Sequence, residues 1–109
     1  NFLVQANSDI IILCSGWKGY FNLEDSIFAG ALAEQLLNHI NFTSNCDALR
    51  ASKQLYFNAQ KNLFEYLKCS AYRQRNSSDE VLKDTKFCLN PTICSKIIPM
   101  YISGKLIPV

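Results

Sequence analysis

A chain of 109 residues has room for one modest core, and with 49% hydrophobic and 18% charged residues it is neither disordered nor fibrous. A net charge of +2, without a Lys/Arg run or a stacking-aromatic motif, excludes a dedicated nucleic-acid binder. The longest apolar run, residues 10–14, is far short of a membrane span, so a soluble chain with no membrane partner is expected.

The first six residues read as the tail of a helix, with Phe2, Leu3 and Val4 too few to make a core element, so the chain is expected to begin mid-protein. Residues 10–14, Ile-Ile-Ile-Leu-Cys, form a β-branched run that suits a strand covered on both faces, as in a parallel sheet. A polar loop follows, in which Gly16 and Gly19 are free to take positive φ. Asn22 is a good N-cap, and Asp25 three residues later makes an approximate capping box for a helix reaching about residue 40. Ala29, Leu32, Ala33, Leu36, Leu37 and Ile40 share one face of that helix. The small residues Ala29, Gly30, Ala31 and Ala33 are expected to let it sit close to the preceding strand.

Asp47 is expected to cap a second, longer helix reaching about Ser70. Its inner stripe is Ala48, Ala51, Leu55, Ala59, Leu63, Tyr66 and Leu67. Phe57 and Phe64, seven apart, break the outer polar face and mark either a second packing surface or a contact with a missing segment or a neighbouring subunit. Asp79 to Leu82 reads as a single helical turn and Lys86 to Leu89 as a short strand. Residues 91–96 read as irregular and 97–102 as extended, with Pro99 confining that strand to an edge. Ser103-Gly104 makes a tight turn into residues 105–107.

In an open α/β sheet ligands bind beyond the carboxyl ends of the strands, so residues 15–25 are the first place to look for chemistry. Glu24 and Asp25 admit two readings. Acids in a helix's first turn satisfy its positive end at about 0.3–1 kcal/mol each; equally, Mg²⁺ takes hard oxygen ligands and commonly only one or two protein carboxylates. Ser15, Gly16, Lys18 and Gly19 likewise read either as an ordinary turn with a surface lysine or as an anion-binding loop whose N–H groups face a ligand. No Gly-Lys-Ser/Thr is present, so this is not a Walker motif. Cys14 reads as a small core side chain, His39 as a surface residue near a helix end, and Arg73 and Arg75 as solvated. The five cysteines are odd in number, widely spaced and without a Cys-x-x-Cys pair. That pattern argues against a zinc knuckle or a disulfide framework and for a reducing cytoplasm.

Residues 11–32, Ile-Ile-Leu-Cys-Ser-Gly-Trp-Lys-Gly-Tyr-Phe-Asn-Leu-Glu-Asp-Ser-Ile-Phe-Ala-Gly-Ala-Leu, closely resemble the strand, Cys-Ser/Ala-Gly loop and Leu-Glu-Asp helix of the 2-phosphosulfolactate phosphatases, the ComB family of coenzyme M biosynthesis. The resemblance continues through Cys46-Asp47-Ala48, the long helix, Phe87-Cys88-Leu89, and Ile98-Pro99 to Gly104-Lys105-Leu106. It covers nearly the whole chain, as the C-terminal half of the family's usual length. It implies a cytoplasmic, Mg²⁺-dependent, α/β/α layered enzyme that hydrolyses 2-phospho-3-sulfolactate to 3-sulfolactate and phosphate. Ser15, Gly16, Lys18 and Gly19 then become a wall of the anionic substrate pocket, and Glu24 and Asp25 catalytic or metal-binding carboxylates. Ala71-Tyr72-Arg73 stands where the family tends to have a His-Gly segment, and the family's amino-terminal half is absent.

The expected fold class is therefore α/β, an α/β/α layering with a small, mostly parallel or mixed sheet, and residues 1–109 are expected to form a single domain of a longer protein. The expected partners are a small phosphorylated anion and the missing half or a second subunit, reached through Phe57 and Phe64. Two other readings stay open: a non-catalytic interaction or regulatory module docking through that aromatic pair, and a phosphatase acting on a different phosphorylated hydroxy acid.

Overall fold

Asn22 starts the longest helix as its side chain dictates: in extended backbone (φ −117°, ψ 126°), its Oδ1 accepts the Asp25 N–H at 3.1 Å. The computed structural model in which this is seen describes residues 2–6, 8–92 and 97–109. They fall into two compact units, one up to Ser77 and one from Ser78. No helix among the described residues is long and apolar enough to cross a membrane.

The first unit is helical. A one-turn helix, α1 (Phe2–Ala6), precedes a segment without regular secondary structure, and α2 (Leu23–Leu37) and α3 (Asp47–Ala59) form its main body. Ser26, Ile27, Ala29, Gly30, Ala33 and Leu36 of α2 are buried, as is Ala59 of α3. The small-residue face does allow a close approach, but to α3 rather than to a strand. A Cβ placed on Gly30 would stand 2.0 Å from the Ser52 carbonyl oxygen. Across the same pair of helices Lys53 and Glu34 form an ion pair of 2.8 Å, half-exposed and worth little by itself. Ile40 lies beyond the helix end and is fully exposed, because α2 closes at Asn38 and the chain turns through His39.

Two expectations of length are corrected. The long second helix ends at Ala59, and after a turn Asn62 starts α4 (Leu63–Tyr66) by accepting the Glu65 N–H on its side chain at 3.1 Å. A 3₁₀ turn (Leu67–Cys69) follows, and Ser70 then caps α5 (Ala71–Arg75), accepting the Arg73 N–H. The break separates Phe57 from Phe64: Phe57 is exposed on α3, whereas Phe64 is half-buried on α4 with the Arg73 guanidinium 4.1 Å above its ring. The two rings therefore do not share one continuous helical stripe. Asp47 is the first helical residue rather than the cap; that position belongs to Cys46, whose N–H is taken by the Ser44 hydroxyl.

The expected parallel sheet is not found among the described residues. Residues 10–14 form no regular secondary structure, with Ile11 93% and Leu13 90% exposed. A strand exists only by exchanging hydrogen bonds with a neighbour, and no neighbour is present among the described residues of this unit. Beneath the segment an open groove of about 640 Å³ is lined by Ile10, Ile12, Ala33, Leu36, Phe42 and Leu49, among others.

In the second unit Ser78 caps α6 (Asp79–Cys88) through the Val81 N–H, so the single turn expected there extends to ten residues and absorbs the strand expected at 86–89. β1 (Pro99–Ile102) and β2 (Lys105–Pro108) pair antiparallel, with Met100 opposite Ile107 and Tyr101 opposite Leu106. Ser103 and Gly104, at φ 49° and 83°, make the tight turn between them as expected. Of the stretch read as irregular, residues 93–96 lie outside the described residues. The fold is thus mostly helical, six α-helices and one antiparallel hairpin among the described residues.

Candidate functional site: an acid-anchored glycine loop

The loop between residues 10–14 and α2 is built as a miniature hairpin. Trp17 and Tyr20 exchange both backbone hydrogen bonds, at 3.1 and 2.9 Å, and the two residues between them, Lys18 and Gly19, have φ 51° and 80°. Positive φ at both central positions is the type I′ arrangement, for which glycine is suited and lysine is not. Gly16 also has positive φ, 68°, and a Cβ there would stand 2.5 Å from the Tyr20 carbonyl oxygen. Only glycine fits that position, for steric and torsional reasons together.

Asp25 holds this loop. Its Oδ2 accepts the Gly16 N–H at 2.8 Å and the Ser15 hydroxyl at 3.2 Å. In a capping box the acid would reach back to the Asn22 N–H; here it reaches across to residues nine and ten positions earlier. Hydrogen bonds to a carboxylate contribute about 1.5–3 kcal/mol each when shielded, so this acid is a principal tie between loop and helix. Glu24 turns elsewhere: its Oε1 accepts the hydroxyl of Ser70, the residue that caps α5. The adjacent acids thus anchor two different segments to the start of α2.

Sequence reasoning placed Ser15, Gly16, Lys18, Gly19, Glu24 and Asp25 in one region, and the structure brings Ser15, Gly16 and Asp25 into direct contact. It uses the Ser15 and Gly16 donors internally, on Asp25. The backbone N–H groups of Lys18 and Gly19, at the exposed tip, have no partner among the described residues. A Cβ on Gly19 would meet nothing within 4 Å, so the tip opens on free space. Cys14 and His39 are exposed and outside this constellation.

Sequence reasoning missed or misplaced Ser70, Arg73 and Trp17, and it did not foresee the neighbour of Arg75, which is exposed as expected. Ser70 lies 46 residues from Glu24, beyond any local signal. Arg73, expected to be solvated, is 9% exposed and donates from Nη1 to the Phe64 carbonyl at 3.1 Å, stapling α5 to α4. Arg75 stands 5.2 Å from the centre of the Trp17 ring. Trp17 carries no local sequence signal beyond its place in the loop.

As to a metal, no group of three or more His, Cys, Asp or Glu side chains gathers among the described residues. The hard-oxygen donors that Mg²⁺ prefers are nevertheless present at Asp25 Oδ1 and Glu24 Oε2, neither of which has a protein donor among the described residues. One or two carboxylates suffice when water and substrate oxygens complete the shell, so each of these oxygens is of the kind this ion takes.

By its own geometry the chain is of a definite class: a helix-rich protein that fastens a glycine turn onto a carboxylate in a helix's first turn. Residues 1–104 match the family model described as 2-phosphosulpholactate phosphatase, and the chain belongs to that family. Its relatives include a protein of Caldanaerobacter subterraneus subsp. tengcongensis described as a probable 2-phosphosulfolactate phosphatase, 33% identical over 81% of this chain and 36% of that protein. Proteins of the same description from Gloeothece citriformis and Synechocystis sp. are 32% and 30% identical, over 92% and 94% of this chain and 42% and 43% of theirs. The chain therefore spans about two-fifths of the length of these relatives. No solved structure matches it.

Proposed function

We propose that, at the length of its relatives, this protein hydrolyses the phosphate monoester of a small acidic hydroxy acid, 2-phospho-3-sulfolactate, to 3-sulfolactate and phosphate, and that it does so with Mg²⁺. The observation that carries this reading is the family match over residues 1–104, which includes the whole acid-anchored loop. Ser15 and Gly16 form the wall of the pocket and Asp25 keeps that wall in place. The N–H groups of Lys18 and Gly19 and the Lys18 ammonium are the donors available to negative charge on the phosphoryl oxygens, the role that preorganised N–H groups play in such reactions. Glu24 and Asp25 would hold Mg²⁺, which when bound offsets charge on the phosphoryl oxygens and acidifies a coordinated water. Glu24 also fixes Ser70 and with it the start of α5, so its removal disturbs positioning as well as charge. The remaining groups of the site come from the rest of the family length or from a second subunit, with Phe57 on the exposed side of α3 available for that contact.

The test is phosphate release from 2-phospho-3-sulfolactate by the protein at family length, expected with Mg²⁺ and abolished by excess EDTA. Release unaffected by chelation removes the metal from the reading, and no release under any divalent ion removes the phosphatase. A cytoplasmic setting accompanies the proposal, in keeping with the exposed thiols of Cys14, Cys46, Cys69 and Cys88.

The layered α/β/α architecture belongs to the same proposal. Residues 10–14 become a strand of a sheet completed by the rest of the protein, which covers the exposed Ile11 and Leu13 and the groove below them. Ile11→Ala then changes the stability of the 109-residue chain by less than about 0.5 kcal/mol, since the side chain is in water. At family length the same substitution costs about 2 kcal/mol or more, the ordinary cost of truncating a buried isoleucine. Urea midpoints of both proteins decide this, and a small effect in both means that residues 10–14 are not a covered strand.

A further inference from the structure

The Trp17 ring carries two cations and neither has an acid. The Arg75 guanidinium carbon lies 5.2 Å and the Lys18 ammonium 5.8 Å from the ring centre. The ion pairs formed among the described residues are Lys53 with Glu34 and Lys68 with Glu65, so neither Lys18 nor Arg75 has a carboxylate within pairing distance there. An exposed cation–π contact contributes about 0.5–1 kcal/mol, and two like charges over one ring repel each other against that gain. The Trp17 backbone exchanges two bonds with Tyr20, and Lys18 occupies a positive-φ turn position that asparagine or glycine would fill with less strain. Trp17 is 51% exposed, so the ring stays open to a ligand. The tip N–H groups of Lys18 and Gly19 adjoin it in the same turn.

Resting on the phosphatase reading above, we propose that Arg75, with the Trp17 ring as its platform, is the specificity-determining residue for the substrate's second acidic group. The phosphoryl group would meet the turn, and a permanent sulfonate or carboxylate on the same small molecule would meet the planar guanidinium, which suits such groups bidentately. On this assignment the guanidinium contributes to recognition of an ester that bears a further anion and little to that of a simple aryl phosphate.

Two measurements test this. At family length, the preference for 2-phospho-3-sulfolactate over p-nitrophenyl phosphate, taken as the ratio of their kcat/KM values, is expected to fall at least tenfold in Arg75→Gln, with partial recovery in Arg75→Lys. Equal losses on both esters, or no change in the ratio, overturn the proposal. Trp17 is the only tryptophan of the 109-residue chain, so its emission reports that ring alone. Titration with 3-sulfolactate is expected to change the emission saturably in the parent chain and not in Arg75→Gln of unchanged far-UV circular dichroism. If the longer protein hydrolyses neither ester, the phosphatase reading fails by itself, and this titration still decides the subsite: a saturable response lost with Arg75 upholds it, and its absence overturns it.

Discussion

Gly30→Ala is expected to lower the urea midpoint of the chain sharply, by an amount equivalent to about 1–3 kcal/mol, with the slope of the transition unchanged. The sign is the informative part. At an open position in mid-helix the same substitution would stabilise by about 1 kcal/mol, because alanine loses less backbone freedom than glycine. Here the added Cβ would stand 2.0 Å from the Ser52 carbonyl oxygen, 2.5 Å from its carbon and 3.0 Å from the Lys53 nitrogen. All three are backbone atoms of α3, which no side-chain rotation can move aside. Relief requires α2 and α3 to separate, and they carry much of the small buried core, with Ile27, Ala29, Ala33 and Leu36 on one and Ala59 on the other. An unchanged or raised midpoint would mean that the helices are not in this contact.

Asp25→Asn is expected to reduce phosphate release at family length at least a hundredfold, and to destabilise the 109-residue chain by about 1–2 kcal/mol. The second effect follows from the loss of charge at an oxygen that accepts both the Gly16 N–H and the Ser15 hydroxyl, and from the loss of an acid favourable to the first turn of α2. The first follows from the proposed function, since the same residue positions the pocket wall and supplies a metal-compatible oxygen. The two readouts separate the roles. Lower stability with full turnover leaves Asp25 as a loop anchor alone, and intact stability with lost turnover assigns the effect to chemistry. Glu24→Gln is the natural companion, because its amide oxygen still accepts the Ser70 hydroxyl while the charge is gone.

Much of the helical framework was legible because its signals are local. Asn22 with Asp25 marks the start of α2, and Ser103-Gly104 marks the hairpin turn. The break in the long helix was equally legible and was passed over. Asn62 followed three residues later by Glu65 is the side-chain pattern of a fresh helix start, as Ser78 before Asp79 and Glu80 is for α6. The apolar stripe, which continued in register through Leu63 and Leu67, outweighed it. Residues 10–14 misled for a different reason. β-branched residues state a preference for extended backbone, but a preference does not supply the neighbour that makes a strand.

What the sequence determined by itself is whatever lies within about four residues: the caps, the positive-φ turn positions and the acids in the first turn of α2. Its family membership is legible in the same local run, residues 11–32. Only the tertiary structure decided which partners those residues meet. Asp25 serves the loop instead of its own helix cap, Glu24 finds Ser70, Gly30 finds Ser52, and Arg75 comes to rest by Trp17. The physical reason is the same in each case. A capping bond closes a ring of a few residues at almost no entropic cost, whereas these contacts close longer loops, from nine residues for Asp25 with Gly16 to 46 for Glu24 with Ser70, and need more of the fold in place before they form.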